Sequence, residues 1–342
     1  MNRLRIGFVG AGSIVRTRHF PNLQNIDGLD FVSVCNSRPD SSERAAQQMG
    51  VSKVFSDWRE LVQDDDIDVV WIGTWPYLHC PVTLAALEAG KHVFCQARMA
   101  MNLAEAKQML EASRRSDRVT MLCPPPMGLK GDKIMRQIIA DGVLGDIYSL
   151  HFRDVSSAFA NPDAPIHWRH RQDLSGWNTL TVGIYAEVIH RWFGYAKSVT
   201  AEAKTFIPER PDSKGGRAAV TRPDVVLALT EMENGALMRW EWTSLASCEP
   251  ICVLEAFGSR GSLCYDFLED EILVAKEGGD WETAPISPEN ERVWTVEQDF
   301  ISAIREGKDV HPNFEDGVQY MELTEAIFRS AQSGRRIDLP LD

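Results

Sequence analysis

The chain has no run of apolar residues near the ~20 needed for a membrane-spanning helix. Its opening, MNRLRIGFVGAGS, is apolar but runs into a glycine turn without a small-residue cleavage site. It is therefore expected to be a first strand and not a secretion signal. Cysteine is sparse and scattered: seven residues, no C-x-x-C pair and no zinc-like spacing. No metal site is predicted. Cys35, Cys95, Cys252 and Cys264 fall in apolar runs, where a free thiol acts as a small core residue, and a reducing, cytoplasmic setting is expected. Positive charge is also short, with 36 Lys and Arg against 49 Asp and Glu, a net of -13. That balance excludes nucleic acid as a main partner, since phosphate binding rests on clustered cations. There is no internal repeat and no low-complexity tract.

What is present is an ordinary globular composition, 44% hydrophobic and 25% charged, over 342 residues, enough for two domains. LRIGFVG, FVSVCN, VVWIGT and HVFCQ are short, apolar throughout and rich in β-branched or aromatic residues, as strands covered on both faces are. Between them SSERAAQQMG, WRELVQ and PVTLAALEAG have helical spacing. The alternation predicts a doubly wound parallel sheet over residues 1–125. VTMLC and the triple proline Pro124, Pro125, Pro126 then end the pattern and mark a border. Residues 126–342 form a second domain. It begins with a helix, GDKIMRQIIADG, and continues with DIYSLHFRDV, SVTAEAKTF, DVVLALTEM, ALMRWEWTS and CVLEAFG. Their alternation predicts an α+β domain with an open, mostly antiparallel sheet, closed by a long helix that stops at Gly334.

Gly10 and Gly12 stand directly after the first strand and before a helix starting near Ser13 and Ile14, the context in which G-x-G-x-x carries weight. Gly10 suits the tight turn, and Gly12 lets backbone amides approach a pyrophosphate. The third glycine position holds Val15, so the fingerprint is incomplete. The plainer reading is a turn that only joins strand to helix. The second strand ends in Asn36, Ser37 and Arg38 and not in the acid that binds a ribose 2′-hydroxyl. A neutral amide, a hydroxyl and a cation suit a 2′-phosphate, which favours NADP slightly over NAD. Arg38 is equally consistent with a solvated loop position.

Gly10-Ala11-Gly12, Thr74-x-Pro76-x-x-His79 and GKHVFC together resemble the Gfo/Idh/MocA family. The resemblance continues through ADGVLGDI, GSRGSL and FEDGVQYMELTEAIFRSAQSGRRI, and so spans essentially the whole chain. It implies an N-terminal Rossmann domain and a C-terminal α/β domain whose open sheet joins copies into a homo-oligomer. It also implies NAD(P)-dependent oxidation or reduction of a secondary hydroxyl or ketone on a sugar or cyclitol. Thr74, Trp75, Pro76, His79 and Gln96 are then expected near the cofactor.

The catalytic residues implied by the resemblance carry over badly. Glu-Lys-Pro at the end of the fourth apolar strand is replaced by Gln96-Ala97-Arg98. The Asp-x-Gly-x-His pattern falls on Thr181 and Tyr185 in SGWNTLTVGIYAEVIHRWFG. Lysine, aspartate and histidine are missing together. Hydride transfer from a carbinol needs a group to take the proton and a charge or dipole to hold the alkoxide. Tyr185 is a candidate if a cation lowers its pKa from about 10. His190 is a candidate one turn further on, and Arg98 can support an alkoxide but cannot take a proton at neutral pH. Glu187 and His190 share a helix face, a spacing seen in metal sites and more often in ion pairs. IHWRHRQDLSGW offers His167, Trp168 and Arg169 as a sugar platform, or simply a basic surface turn.

Three functions remain open from sequence. They are a sugar or cyclitol dehydrogenase, a protein that cleaves glycosides through transient sugar oxidation, and a non-catalytic sugar- or nucleotide-binding protein.

Overall fold

The computed structural model describes residues 3–124 and 129–341, so Pro125 and Pro126 of the expected border lie outside the described residues. The chain forms two compact units, Met1–Pro124 with Thr295–Met321, and Pro125–Trp294 with Glu322–Asp342.

In the first unit, β1 (Leu4–Val9), β2 (Leu29–Cys35), β3 (Lys53–Val54), β4 (Val69–Ile72), β5 (His92–Cys95) and β6 (Thr120–Leu122) form one sheet in the order 3-2-1-4-5-6. Every pairing is parallel. The strand order reverses between β1 and β4, the switch point where α/β sheets bind ligands. VTMLC was expected to end the pattern; it supplies β6 instead.

The helices obey their sequence signals. After a short π-helical turn, Val15–His19, comes α1 (Phe20–Leu23). Next, α2 (Pro39–Met49) starts with proline in its first turn and stops at Gly50 with φ +66°. Then follow α3 (Trp58–Gln63), α4 (His79–Glu88) and α5 (Leu103–Arg114). Asn102 caps α5 by accepting from the Glu105 N–H at 2.9 Å. The Glu105 carboxylate accepts in turn from Met101 N at 3.1 Å, one residue earlier than in a capping box.

The chain returns to this unit late, which a border read from the proline triplet does not anticipate. Phe300, in the helix Val296–Glu306, sets its ring edge on Trp71 at 5.9 Å and on Phe94 at 5.6 Å. Trp71 and Phe94 stack at 3.8 Å, and all three rings are fully buried. Burying an aromatic of roughly 200 Å² contributes about 5 kcal/mol before entropic costs. An aromatic core of this kind recruits a helix from any distance along the chain.

The second unit contains α6 (Asp132–Ala140), β7 (Ile147–Val155), α7 (Gln172–Ser175) and α8 (Val182–Phe193). The strands β8 (Ala196–Lys204), β9 (Glu209–Pro211), β10 (Arg217–Ala219), β11 (Val225–Met232) and β12 (Leu237–Thr243) follow. After them come β13 (Ile251–Gly258), β14 (Gly261–Asp266), β15 (Glu271–Lys276), β16 (Glu282–Thr283) and β17 (Ile337–Asp338). Nine strands form one sheet in the order 16-15-14-13-7-12-11-8-17, while β9 and β10 pair separately. Within the sheet only β7 and β12 run parallel, so it is mixed and mostly antiparallel as expected.

Alternation decides its faces. Met238, Trp240 and Trp242 of β12 are buried, with the two indoles stacked at 5.3 Å. On the other face Leu227, Leu229 and Leu237 are exposed. The helix Phe314–Ser333 ends before Gly334, whose φ is +64°. All seven cysteines are free, and burial pushes the Cys35 thiol up to about 11 and the Cys80 thiol up to about 12. Among the described residues no helix is long and apolar enough to cross a membrane.

Candidate active site

The glycine turn is built where the ends of the adjacent parallel strands β1 and β4 approach closely. Gly10 has φ +86°, and a Cβ there would sit 2.6 Å from Thr74 N and Thr74 Cγ2. A Cβ on Gly73 would overlap both Gly10 O and Val15 Cγ2. Gly73 thus provides the close approach that a third glycine at position 15 would have given. This residue was missed from sequence, although VVWIGT places a glycine directly after an apolar strand. Gly12 differs: the nearest atom to a Cβ is Gly73 O at 3.9 Å, so its surface is open. The turn is tied down by Gly10 N–H to Cys35 O at 2.8 Å and Gly73 N–H to Val9 O at 2.8 Å.

Gly10, Gly12, Asn36, Ser37, Thr74 and Trp75 border one cavity of about 490 Å³, together with Ser41, Asp57, Trp58, Arg59 and Tyr77. The Thr74 hydroxyl is buried there without a hydrogen-bond partner. A glycine with open space at its Cβ position and an unmet hydroxyl, on a cavity where the strand order reverses, fit a bound dinucleotide.

Asn36 also braces the turn whose cavity it borders. Its Oδ1 accepts from Ala11 N–H at 2.7 Å, and its Nδ2 donates to Ser41 O at 3.0 Å, so it holds the turn in shape. Arg38 is exposed and 3.5 Å from Asp40. Asp57 is spent on capping α3, accepting from Arg59 N–H at 2.9 Å, while the Arg59 guanidinium lies 4.6 Å over Trp58. Ser13 is exposed and Ile14 half-buried, and Pro76 is buried at the start of a 3-10 turn.

His79 is fully buried and clamps two loops. Its ring nitrogens lie 2.8 Å from Arg98 O and 3.0 Å from Thr74 O. Burial lowers its pKa, and a neutral ring donates to one of these carbonyls at a time. It positions the loops after β4 and β5 and offers no surface to a ligand. Gln96 is half-buried, with Oε1 2.9 Å from His19 Nε2. His19 Nδ1 in turn donates to Glu297 Oε1 at 2.6 Å, and Asn22 Nδ2 donates to Glu297 Oε2 at 3.1 Å. Arg98 is only 2% exposed.

In the second unit His167 starts a short turn, accepting from Arg169 N–H at 3.3 Å and donating its own N–H to His170 Nδ1 at 3.1 Å. Burial, helped by Arg169, pushes His167 down to about 4, so it is neutral at pH 7. The Arg169 guanidinium lies 4.3 Å over the Trp168 ring. Tyr185 packs against Phe152 at 4.6 Å and Phe267 at 5.1 Å. No cation lowers its pKa as expected; burial, followed by Cys252 and Asp154, raises it. His190 is buried with neither ring nitrogen hydrogen-bonded, and burial pushes it down to about 4. Glu187 pairs with Arg191 at 3.7 Å. Among the described residues no group of three or more His, Cys, Asp or Glu is placed to hold a metal ion.

The Thr181 hydroxyl donates to Asp154 Oδ2. Asp154 lies in an ordinary-looking strand, 27 residues before its partner. Only the fold brings the two together.

Comparison with known proteins agrees with this architecture. Residues 4–123 match the profile described as "Oxidoreductase family, NAD-binding Rossmann fold", and residues 133–264 match the "GFO/IDH/MocA C-terminal domain". Levoglucosan dehydrogenase of Pseudarthrobacter phenanthrenivorans is 28% identical, over 90% of this chain and 89% of its own length. Myo-inositol 2-dehydrogenase of Thermotoga maritima is 24% identical over 98% of both chains. A solved levoglucosan dehydrogenase in complex with NADH and L-sorbose superposes with a TM-score of 0.86 at 25% identity, covering 99% of this chain and 100% of that one. With both domain profiles matched in order and the Rossmann turn built as described, the chain belongs to the Gfo/Idh/MocA family of oxidoreductases.

Proposed function

We propose that the chain is an NAD(P)-dependent dehydrogenase that moves a hydride between the dinucleotide and a secondary hydroxyl or ketone of a sugar, sugar derivative or cyclitol. The observation that carries this reading is the open Gly12 beside the unmet Thr74 hydroxyl on a cavity of about 490 Å³. When bound, the dinucleotide supplies the hydride acceptor or donor at its nicotinamide ring. The chain's own residues bind and orient. Gly12 admits the pyrophosphate, Trp75, 45% exposed, offers a flat apolar face, and Gln96 is held in a fixed orientation by His19. His167, Trp168 and Arg169 make a turn suited to a sugar: the indole covers C–H surface while the guanidinium above it donates to hydroxyls. The relatives named above act on such compounds.

NADP is accepted at least as well as NAD in this reading. No carboxylate at the end of β2 repels a 2′-phosphate, Asp57 is occupied with its cap, and Ser37 and Ser41 border the cavity. Arg38 can leave Asp40 at little cost, because an exposed pair is worth about 0–1 kcal/mol. We also propose a homo-oligomer through the sheet face that carries Leu227, Leu229 and Leu237.

The test is titration with NADH and NADPH, followed by assays with sugars, glycosides and cyclitols that record both nicotinamide absorbance and product. Saturable binding with net cofactor reduction is expected. Product without net reduction points to glycoside cleavage through transient oxidation. Failure of both dinucleotides to bind overturns the enzyme readings.

A further inference from the structure

We propose that Arg59, in the first turn of α3, is the residue that grips the 2′-phosphate of NADP and so sets the preference between the two dinucleotides. The proposal rests on the dehydrogenase reading above and names the group that decides cofactor choice within it. It starts from where the cavity of about 490 Å³ lies. Its walls come from the carboxyl ends of β1, β2 and β4 and from the connection between β3 and α3, all within the first unit. In the sheet order, β2 and β3 lie on the side of β1 away from β4, β5 and β6. A pyrophosphate seated at Gly12 therefore sends the adenosine ribose toward the end of β2, with the start of α3 as the outer wall. Arg38, the cation that residue order favours, does not border this cavity and is exposed beside Asp40. Among the described residues that do border it, Arg59 is the one cation.

Arg59 is held ready for an anion. Its Nη1 donates to Asp57 Oδ1 at 3.1 Å and to Oδ2 at 3.3 Å, and its guanidinium lies 4.6 Å over the Trp58 ring. Asp57 and Trp58 thus fix the group from one end and one face, which lowers the ordering cost of binding. Among the described residues Nε and Nη2 have no partner. They form the edge of the fork that takes a phosphate through two parallel N–H···O bonds. Asp57 is the one carboxylate among the described residues bordering the cavity, and Arg59 already neutralises it. A 2′-phosphate therefore meets no unpaired negative charge there. The Ser37 and Ser41 hydroxyls border the same space. Ser41 Oγ accepts from Asn36 Nδ2 at 3.1 Å, so its own O–H is left to donate. A cation in the first turn of a helix opposes the macrodipole, so the stability of α3 does not account for an arginine at this position.

The test is calorimetric titration of the full chain, needing no turnover, with NADPH and NADH and with adenosine 2′,5′-bisphosphate and 5′-AMP. It compares wild type with Arg59→Ala, Arg59→Lys and Arg38→Ala. Arg59→Ala should weaken NADPH and the bisphosphate about 10–100-fold more than NADH and 5′-AMP, the range of a charge-assisted contact. Arg59→Lys keeps the charge but not the fork, so it should regain part of that loss. Arg38→Ala should show the smaller selective loss. The melting temperature of Arg59→Ala should match wild type, because the backbone N–H that Asp57 caps is retained. An Arg59→Ala protein whose NADPH-to-NADH affinity ratio stays within about threefold of wild type overturns the proposal. So does a larger selective loss in Arg38→Ala. Wild-type protein that binds NADH but not NADPH overturns it too, and leaves the dehydrogenase reading standing. Wild-type protein that binds neither dinucleotide overturns that reading itself, so the two failures are told apart before any variant is made.

Discussion

Replacing Glu297 by alanine should destabilise the first unit by about 3–5 kcal/mol, the cost of breaking a buried pair from one side. Glu297 is 2% exposed and His19 is fully buried, so water replaces neither partner. The carboxylate accepts from His19 Nδ1 at 2.6 Å and from Asn22 Nδ2 at 3.1 Å, and both donors are stranded in the variant. Each lost partner costs about 1–3 kcal/mol, so the two give about 2–6 kcal/mol, which brackets that figure. Glu297→Gln keeps the shape and one acceptor oxygen, so it should lose about 1–3 kcal/mol, clearly less than alanine. The assay is urea unfolding followed by tryptophan fluorescence, to which Trp71, 5.2 Å from the His19 ring, contributes. His19 also holds Gln96, so NADH affinity should fall together with stability in both variants. A Glu297→Ala protein that unfolds within 1 kcal/mol of wild type would refute the reasoning. So would equal losses in the two variants.

The two glycines of the turn should separate stability from binding. Gly73→Ala has no space and should cost about 1–3 kcal/mol as well as dinucleotide affinity. Gly12→Ala has open space, so the melting temperature should be unchanged while NADH titration shows at least tenfold weaker binding. His190 titrates near 4 when folded against about 6.5 unfolded, so the unfolded state binds the extra proton between those values. Its contribution is complete above pH 6.5 and declines by up to about 3 kcal/mol as pH falls to 4. His190→Leu should flatten the stability curve across that window, and an unchanged slope in thermal melts would exclude His190 as the source. Leu229→Arg, on the exposed sheet face, should reduce the mass measured by light scattering if that face joins copies; an unchanged mass removes it as the interface.

Much was legible from residue order because its cause is local. Apolar runs bounded by glycine and proline marked β1, β2, β4 and β5, and period-two alternation marked β7, β8, β11, β12 and β13. Asn102 capped its helix, and Gly10 and Gly12 opened the nucleotide turn. What tertiary structure decided depends on pairs distant in sequence. Gly73 stands in for the missing glycine at Val15 because the ends of adjacent strands β1 and β4 approach closely there. Asn36 braces the turn because Ala11 and Ser41, distant from each other in sequence, both reach its side chain. The helix Val296–Glu306 rejoins the first unit because buried aromatic surface attracts whatever the chain can return to it. Tyr185 was conspicuous in sequence by its position, while the burial that raises its pKa was not. A side chain's ability to carry a proton depends on burial and neighbours, and those exist only once β7 and α8 have packed.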